Sequence, residues 1–404
     1  RPVHIAAAVE FTPATFWRGH HAGAHPVGDH RPQRHAAAAI LHIDRHPVAD
    51  AARGRVIGMD LHERRALAAQ LARPVGHAAG HSAYPWIGFP SYGPIALFVL
   101  SGFLLFQPWS KWLLGRSARP SVREFARRRA WRILPPYLVL LAVVWLILPT
   151  SRPSELGAFV RSLTLTNIYV PGEIYFGLGH VWSLGTEASW YVLLPAVAMC
   201  VGLLVHRAGV APSVAVIGVV VAMLLLTLTW RSYIFRTESV TASMTFPMLF
   251  PNFAVAFFGG AAVGFFRVQD ANGVRPAMAL RFLSRHGVLT LVLALGVGVI
   301  GASQFGGPWG FEQTTLGKYN FRGAAMTLMA LLLVAGVASS PRHTVFGALF
   351  GSRPVVAIGR WSYGIYLWHY PVLVLITQHF GPPQGAWGLL TVIAVVSVVA
   401  FGLG

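Results

Sequence analysis

Residues 180–207 read HVWSLGTEASWYVLLPAVAMCVGLLVHR. Within 181–205 the only charged residue is Glu187. About twenty apolar residues in a row are what an α-helix needs to cross the hydrocarbon of a bilayer. In lipid every backbone N–H and C=O must be satisfied within the spanning segment, so such a run reads as a helix. Working outward, runs of similar length recur upstream at 88–107 and 134–149. Downstream they recur at 211–230, 246–266, 287–303, 321–339, 361–379 and 387–404. The ten-residue alternation of a transmembrane β-barrel is absent. The expected fold is all-α, a polytopic transmembrane helix bundle with nine visible spans.

The composition agrees. The 404 residues are 55% hydrophobic and 11% charged, against about 25% charged in a soluble domain. A formal charge of +19 would point to nucleic acid in a soluble protein. Here the cations are sorted by side. With alternate crossing, sixteen Lys and Arg fall on the side of the 108–133 segment and six on the other. Cytoplasmic loops carry that excess, so 108–133 is expected in the cytoplasm and no nucleic-acid partner is needed. The one cysteine, Cys200, excludes a disulfide within the chain and a multi-Cys metal site.

Residues 1–83 differ in character. They hold 11 of the 17 histidines, 6 of the 13 acids, ten arginines and no lysine, and no run of spanning length. Three readings stand side by side: a disordered Arg/His-rich tail, a metal-binding tract with irregular spacing, or a segment translated out of frame. With nine spans, the polarity places this Arg-rich stretch outside. One more helix at the front would return it to the cytoplasm. The first residue is Arg and the last ones are apolar, so both ends read as those of a fragment, with the domain expected over 84–404.

Four strings carry candidate chemistry. In FARRRAWRILPPY, residues 125–137, Arg128 and Arg132 share a helix face with Arg129 beside it. Such a cluster grips phosphates by bidentate contacts or anchors on anionic membrane lipid. Tyr137 falls at interface depth. In HVWSLGTEASWYVLLP, residues 180–195, Glu187 is the one acid within any span, and an intramembrane carboxylate is costly unless functional or paired. Trp182 and Ser183 lie on a nearby turn. In GRWSYGIYLWHYPVL, residues 359–373, His369 sits inside an apolar helix. In FVLSGFLLF, residues 98–106, Ser101 and Gly102 suit close helix packing.

In this order and spacing, FVLSGFLL, RRAWRILPPY, WSLGTEASWYVLLP and GRWSYGIYLWHYPVL resemble the membrane family called acyltransferase 3, over nearly all of 84–404. The resemblance implies ten spanning helices and transfer of an acyl group from cytoplasmic acyl-CoA to a hydroxyl of an extracytoplasmic glycan or lipid. It implies that Arg128, Arg129 and Arg132, with Tyr137, face the CoA. No cofactor beyond that donor, and no metal, is implied. The family's base is a first-helix His about eleven residues after an Arg. Here the nearest match is Arg65 to His77, one residue too long and interrupted by Arg73 and Pro74.

The resulting expectation is a bacterial plasma-membrane acyltransferase, probed at Glu187 and His77 for catalysis. Trp182, Ser183 and His369 are the acceptor-side or core polar residues. A polytopic exporter of glycan or lipid is the alternative. It accounts for the spans, Glu187 and His369, but not for three arginines followed by Pro-Pro-Tyr. An inactive lipid-bound scaffold with the same fold is a third reading.

Overall fold

The computed structural model describes residues 93–237, 245–271, 285–306, 315–340 and 344–381, with positions 282, 283, 395, 398 and 402. Among them there is no strand. The helices are α1 (Gly93–Leu113), α2 (Val122–Ile147), α3 (Leu156–Leu163), α4 (Trp182–His206) and α5 (Pro212–Arg236). They continue with α6 (Ala254–Ala271), α7 (Gly287–Ala302), α8 (Leu316–Ser339), α9 (Val345–Phe350) and α10 (Arg353–Phe380).

Six helical segments are long and apolar enough to cross a membrane: Gly93–Leu113, Val122–Ile147, Gly179–His206, Pro212–Arg236, Phe250–Asp270 and Leu316–Ser339. The expected span at 287–303 is a shorter apolar helix, Gly287–Ala302. The one at 361–379 lies inside the 28-residue α10, whose Arg, Tyr and His residues dilute its apolar character. The run 387–404, apart from three positions, and the whole of 1–83 lie outside the described residues. Among the described residues six of the nine expected spans are long and apolar enough to cross a membrane, and two more coincide with further helices.

Glycines decide how closely the helices approach. A Cβ on Gly102 of α1 would stand 1.9 Å from the carbonyl oxygen of Phe257 on α6. One on Gly260 of α6 would stand 2.0 Å from the carbonyl oxygen of Val99. Gly264, four residues on, meets Phe103 in the same way at 2.6 Å. Without a hydrophobic drive between helices in lipid, such backbone contact is the main source of packing energy. Around it Phe98, Trp109, Trp190, Leu194, Phe257 and Phe265 form the main core.

Aromatic contacts fix direction. Phe98 meets Trp182 at 6.1 Å, while Trp112 meets His206 at 5.1 Å, so α1 and α4 run parallel. The turn 114–121, with Arg116 and Arg119, therefore lies at the His206 end of α4. Helix α2 runs back antiparallel but is displaced along α4. Its first turns reach the middle of α4, where Phe125 meets Tyr191 at 6.4 Å. Its later part reaches the connection before α4, where the Tyr137 hydroxyl donates to the Ser162 carbonyl at 2.6 Å.

That displacement changes one expectation. The arginine cluster is wound into α2 and is not part of a loop. Ser121 caps the helix by accepting from the Glu124 amide at 3.3 Å. Pro135 and Pro136, expected where the span begins, lie inside the helix. Proline is tolerated in spanning helices because neighbouring groups re-satisfy the freed carbonyls.

The connection 148–181 is folded. Arg161 forms a two-pronged ion pair with Glu173, which raises the Arg161 guanidinium further above its ordinary pKa. The Asn167 side chain donates to the Glu173 carbonyl at 2.9 Å.

Arg231, near the end of α5, is only 5% exposed. Its Nε donates to Asn252 Oδ1 at 2.7 Å and its Nη2 to the Asn252 carbonyl at 3.0 Å. Its guanidinium faces the Tyr319 ring at 5.3 Å. The two prongs need a planar fork, which Lys lacks. Arg231→Lys is expected to cost about 1–3 kcal/mol by leaving buried acceptors unmet. Thermal unfolding in detergent checks this, and an unchanged midpoint would show that the fork holds nothing.

Candidate active site

Glu187 sits one turn beyond Ser183 on α4, so both project from one side of that helix. The carboxylate is partly buried and accepts from the Ser101 hydroxyl of α1; Tyr191 lies one turn further on. Arg129 and Arg132 of α2 both act on it electrostatically. Arg129 also acts on Tyr191, and its Nε is buried with no hydrogen-bond partner. Arg129 is thus a half-buried guanidinium that is not saturated in hydrogen bonds.

The three arginines do not act as one cluster. Arg128 Nε donates to Glu124 Oε1 at 2.7 Å, and Arg127 Nη2 reaches the same oxygen at 2.9 Å. The Arg128 side chain is 69% exposed. Arg129 points inward from the adjoining face because it lies one position, about 100°, around the helix. Arg132, exposed by area, still reaches Glu187 and also Tyr363 by charge. Glu124, four residues before Arg128, was the available clue: that spacing favours a surface ion pair.

Tyr137 is buried at 1% exposure, with its hydroxyl committed to Ser162. The Tyr363 hydroxyl of α10 donates to the Ile133 carbonyl at 3.0 Å. These two bonds hold α2 against its neighbours beside the arginines. Trp182 packs between Phe98 and Phe253, its ring stacked on Phe253 at 5.5 Å. The Ser183 hydroxyl, buried, meets the Tyr366 hydroxyl. Tyr366 donates to the His180 carbonyl, so Ser183 is the donor in that pair.

His369 Nδ1 lies 2.6 Å from the Tyr366 carbonyl. Beside it is His180, which the sequence reading passed over although it heads the quoted string. His180 is 8% exposed, and its ring centre lies 5.2 Å from that of His369. The structure thus brings Ser183, His180 and His369 together at the start of α4, with Glu187 one turn deeper than Ser183. It does not bring Arg128 or Tyr137 to Glu187 by side-chain contact. His77 lies outside the described residues. Among the described residues no group of three or more His, Cys, Asp or Glu is placed to hold a metal ion.

A family model described as an acyltransferase domain matches residues 79–403. The chain belongs to the acyltransferase 3 family. Its similarity to individual acyltransferase 3 proteins is low but long. It is 21% identical over 336 residues to the O-acetyltransferase OatA of Staphylococcus aureus, covering 76% of this chain and 50% of that protein. It is 24% identical over 350 residues to the peptidoglycan O-acetyltransferase OatA of Listeria monocytogenes, covering 80% and 51%. To the putative peptidoglycan O-acetyltransferase YrhL of Bacillus subtilis it is 25% identical over 345 residues, covering 79% and 50%. This acyltransferase 3 chain spans about half the length of the curated relatives it matches. No solved structure matches it.

Proposed function

We propose that this protein is a multi-pass membrane O-acyltransferase. It takes an acyl group, acetyl by analogy with the relatives' names, from acyl-CoA on the side of the basic turn 114–121. It passes that group to a hydroxyl of a cell-envelope glycan reaching the bundle from the other side. The positive-inside rule supports the basic side as cytoplasmic, and the bacterial sources of the relatives support the plasma membrane. Family membership supports acyl transfer, and two of the three relatives are named for peptidoglycan.

The observation that carries the reading is Arg129. A guanidinium turned into an apolar bundle, with a buried Nε that no described group accepts from, calls for an anionic ligand that completes its contacts. The phosphates of CoA have that chemistry. Arg132 adds a second charge three residues on. Glu187 keeps the pair of cations in place when the donor is absent. It then presents a carboxylate beside the thioester path, where it orients the acceptor hydroxyl. Tyr137 and Tyr363 fix α2, so the arginines are held and not free to swing. Membrane lipid surrounds the exposed apolar faces.

The donor arm is tested by CoA binding to the detergent-solubilised full chain. Arg129→Ala with Arg132→Ala removes two charge-assisted contacts worth about 1.5–3 kcal/mol each. The double variant should weaken binding by roughly 100-fold or more. Arg128→Ala should change it by less than about threefold, because Arg128 is already paired on the surface. Equal losses in both would restore a three-arginine phosphate clamp. No loss in either would return the arginines to lipid anchoring and remove the observation on which the donor reading rests.

A further inference from the structure

The chain leaves α2 and turns back along it. Near the end of α2, the Trp145 ring meets the Phe159 ring of α3 at 5.0 Å. Two turns earlier in α2, the Tyr137 hydroxyl donates to the Ser162 carbonyl at 2.6 Å. As α3 advances, its contacts therefore move from the end of α2 toward its middle. Residues 133–148 read ILPPYLVLLAVVWLIL and follow the arginines of α2. They are the part of that helix suited to hydrocarbon. Tyr137 and Trp145 both fall within it, so α3 lies beside a stretch of α2 that is at membrane depth.

The faces of α3 are the wrong way round for a loop in water. Its buried residues are the small ones, Ala158 and Ser162. Leu156 and Val160, one turn apart on one face, are 78% and 48% exposed. Leu146, in the last turn of α2, is 81% exposed, so this apolar surface continues that of a spanning helix. The polar side chains are closed off within the protein. Ser162 Oγ donates to the Ala158 carbonyl at 2.9 Å, and Thr164 Oγ1 to the Val160 carbonyl at 2.9 Å. Arg161 is neutralised by its two-pronged pair with Glu173. A segment in water has no need of such closure; one in hydrocarbon does. The turn after α3 is covered by protein, as irregular backbone at membrane depth must be. Leu165, Asn167 and Ile168 are buried. A Cβ on Gly185 of α4 would stand 2.8 Å from Ile168 Cδ1 and 2.9 Å from the Leu165 carbonyl oxygen. The Tyr169 hydroxyl meets that of Ser189.

We infer that residues 156–169 are a re-entrant segment. It dips back into the leaflet opposite the basic turn 114–121, with Leu156 and Val160 against lipid acyl chains. Helix α3 is not among the six spanning segments, and eight residues are far short of the roughly twenty that a crossing needs. The partner of its apolar face is the bilayer that the neighbouring α2 crosses. The far end of the segment rests on Gly185 and Ser189, which flank Glu187 in sequence and lie on the other side of α4. The segment is thus a wedge between α2 and α4 at the depth of the candidate site, and lipid forms its outer wall. This holds whichever donor the protein uses.

The test is fluorescence quenching on the full chain in nanodiscs of phosphatidylethanolamine and phosphatidylglycerol. Cys200→Ser removes the one native thiol. A bimane is then attached at Leu156→Cys, Val160→Cys or Arg152→Cys in turn. All three positions are exposed, so the label leaves the packing intact. Arg152, in the turn between α2 and α3, is the water-facing control. Lipids brominated in the acyl chain are expected to quench the labels at 156 and 160 at least about threefold more than the label at 152. Aqueous iodide should give the reverse order. Iodide reaching 156 and 160 as freely as 152 overturns the inference and puts the segment in water. Protection of 156 and 160 from both quenchers overturns it as well, because another part of the chain or a second copy then covers the face.

Discussion

Glu187→Gln is expected to fold, to reach the membrane and to lower acyl transfer by about 100-fold or more. The amide oxygen still accepts from Ser101, so that local hydrogen bond survives. What goes is the negative charge opposite Arg129 and Arg132. Removing the counter-charge from a half-buried guanidinium lets that side chain leave its inward position. Glu187→Ala goes further. It leaves the Ser101 hydroxyl without its acceptor, at a cost of about 1–3 kcal/mol for the unmet group. Thermal unfolding in detergent and acetyl transfer in vesicles separate the two effects. Glu187→Gln with transfer within about threefold of wild type would remove the carboxylate from the mechanism.

Gly102→Leu should prevent stable folding, and Gly102→Ala should lower the unfolding midpoint clearly. The added Cβ meets the backbone of Phe257 at 1.9 Å, and no flexible side chain is there to yield. Overpacking of this kind costs about 1–3 kcal/mol for one methyl, and more when the obstacle is backbone. Helices α1 and α6 must separate, and a shift of α1 displaces Ser101 from Glu187 on α4. Activity should therefore fall further than stability alone explains. Gly93→Ala and Gly218→Ala are the controls, because a Cβ at either position meets nothing within 4 Å. Both should be neutral or gain up to about 1 kcal/mol from helix propensity. If Gly102→Ala behaves like them, α1 and α6 do not touch backbone to backbone.

The four strings were legible because their residues are out of character with their surroundings. An acid in a span, three arginines before a Pro-Pro-Tyr, and a His in an apolar helix need no structure to be noticed. The expectation of close packing at Gly102 is met by α6. Ser101, grouped with it, turns out to serve Glu187 instead. The split among Arg128, Arg129 and Arg132 was partly readable from Glu124 at the i−4 position. His180 was not readable as half of a pair, since its partner lies 189 positions away on α10.

The sequence by itself determined that this chain crosses a membrane as helices, and which family it resembles. Lipid imposes that result locally: each segment must satisfy its own backbone and shed its charge, whatever its neighbours do. Only the tertiary structure decided which side of each helix matters. A helix that is apolar all round carries no stripe to say which face meets protein. The displacement of α2 along α4 set Arg129 beside Glu187. The backbone contact at Gly102 and Gly260 set α1 against α6, and α10 brought His369 to His180. Those are relations between distant segments, fixed by shape and by the geometry of a few buried hydrogen bonds.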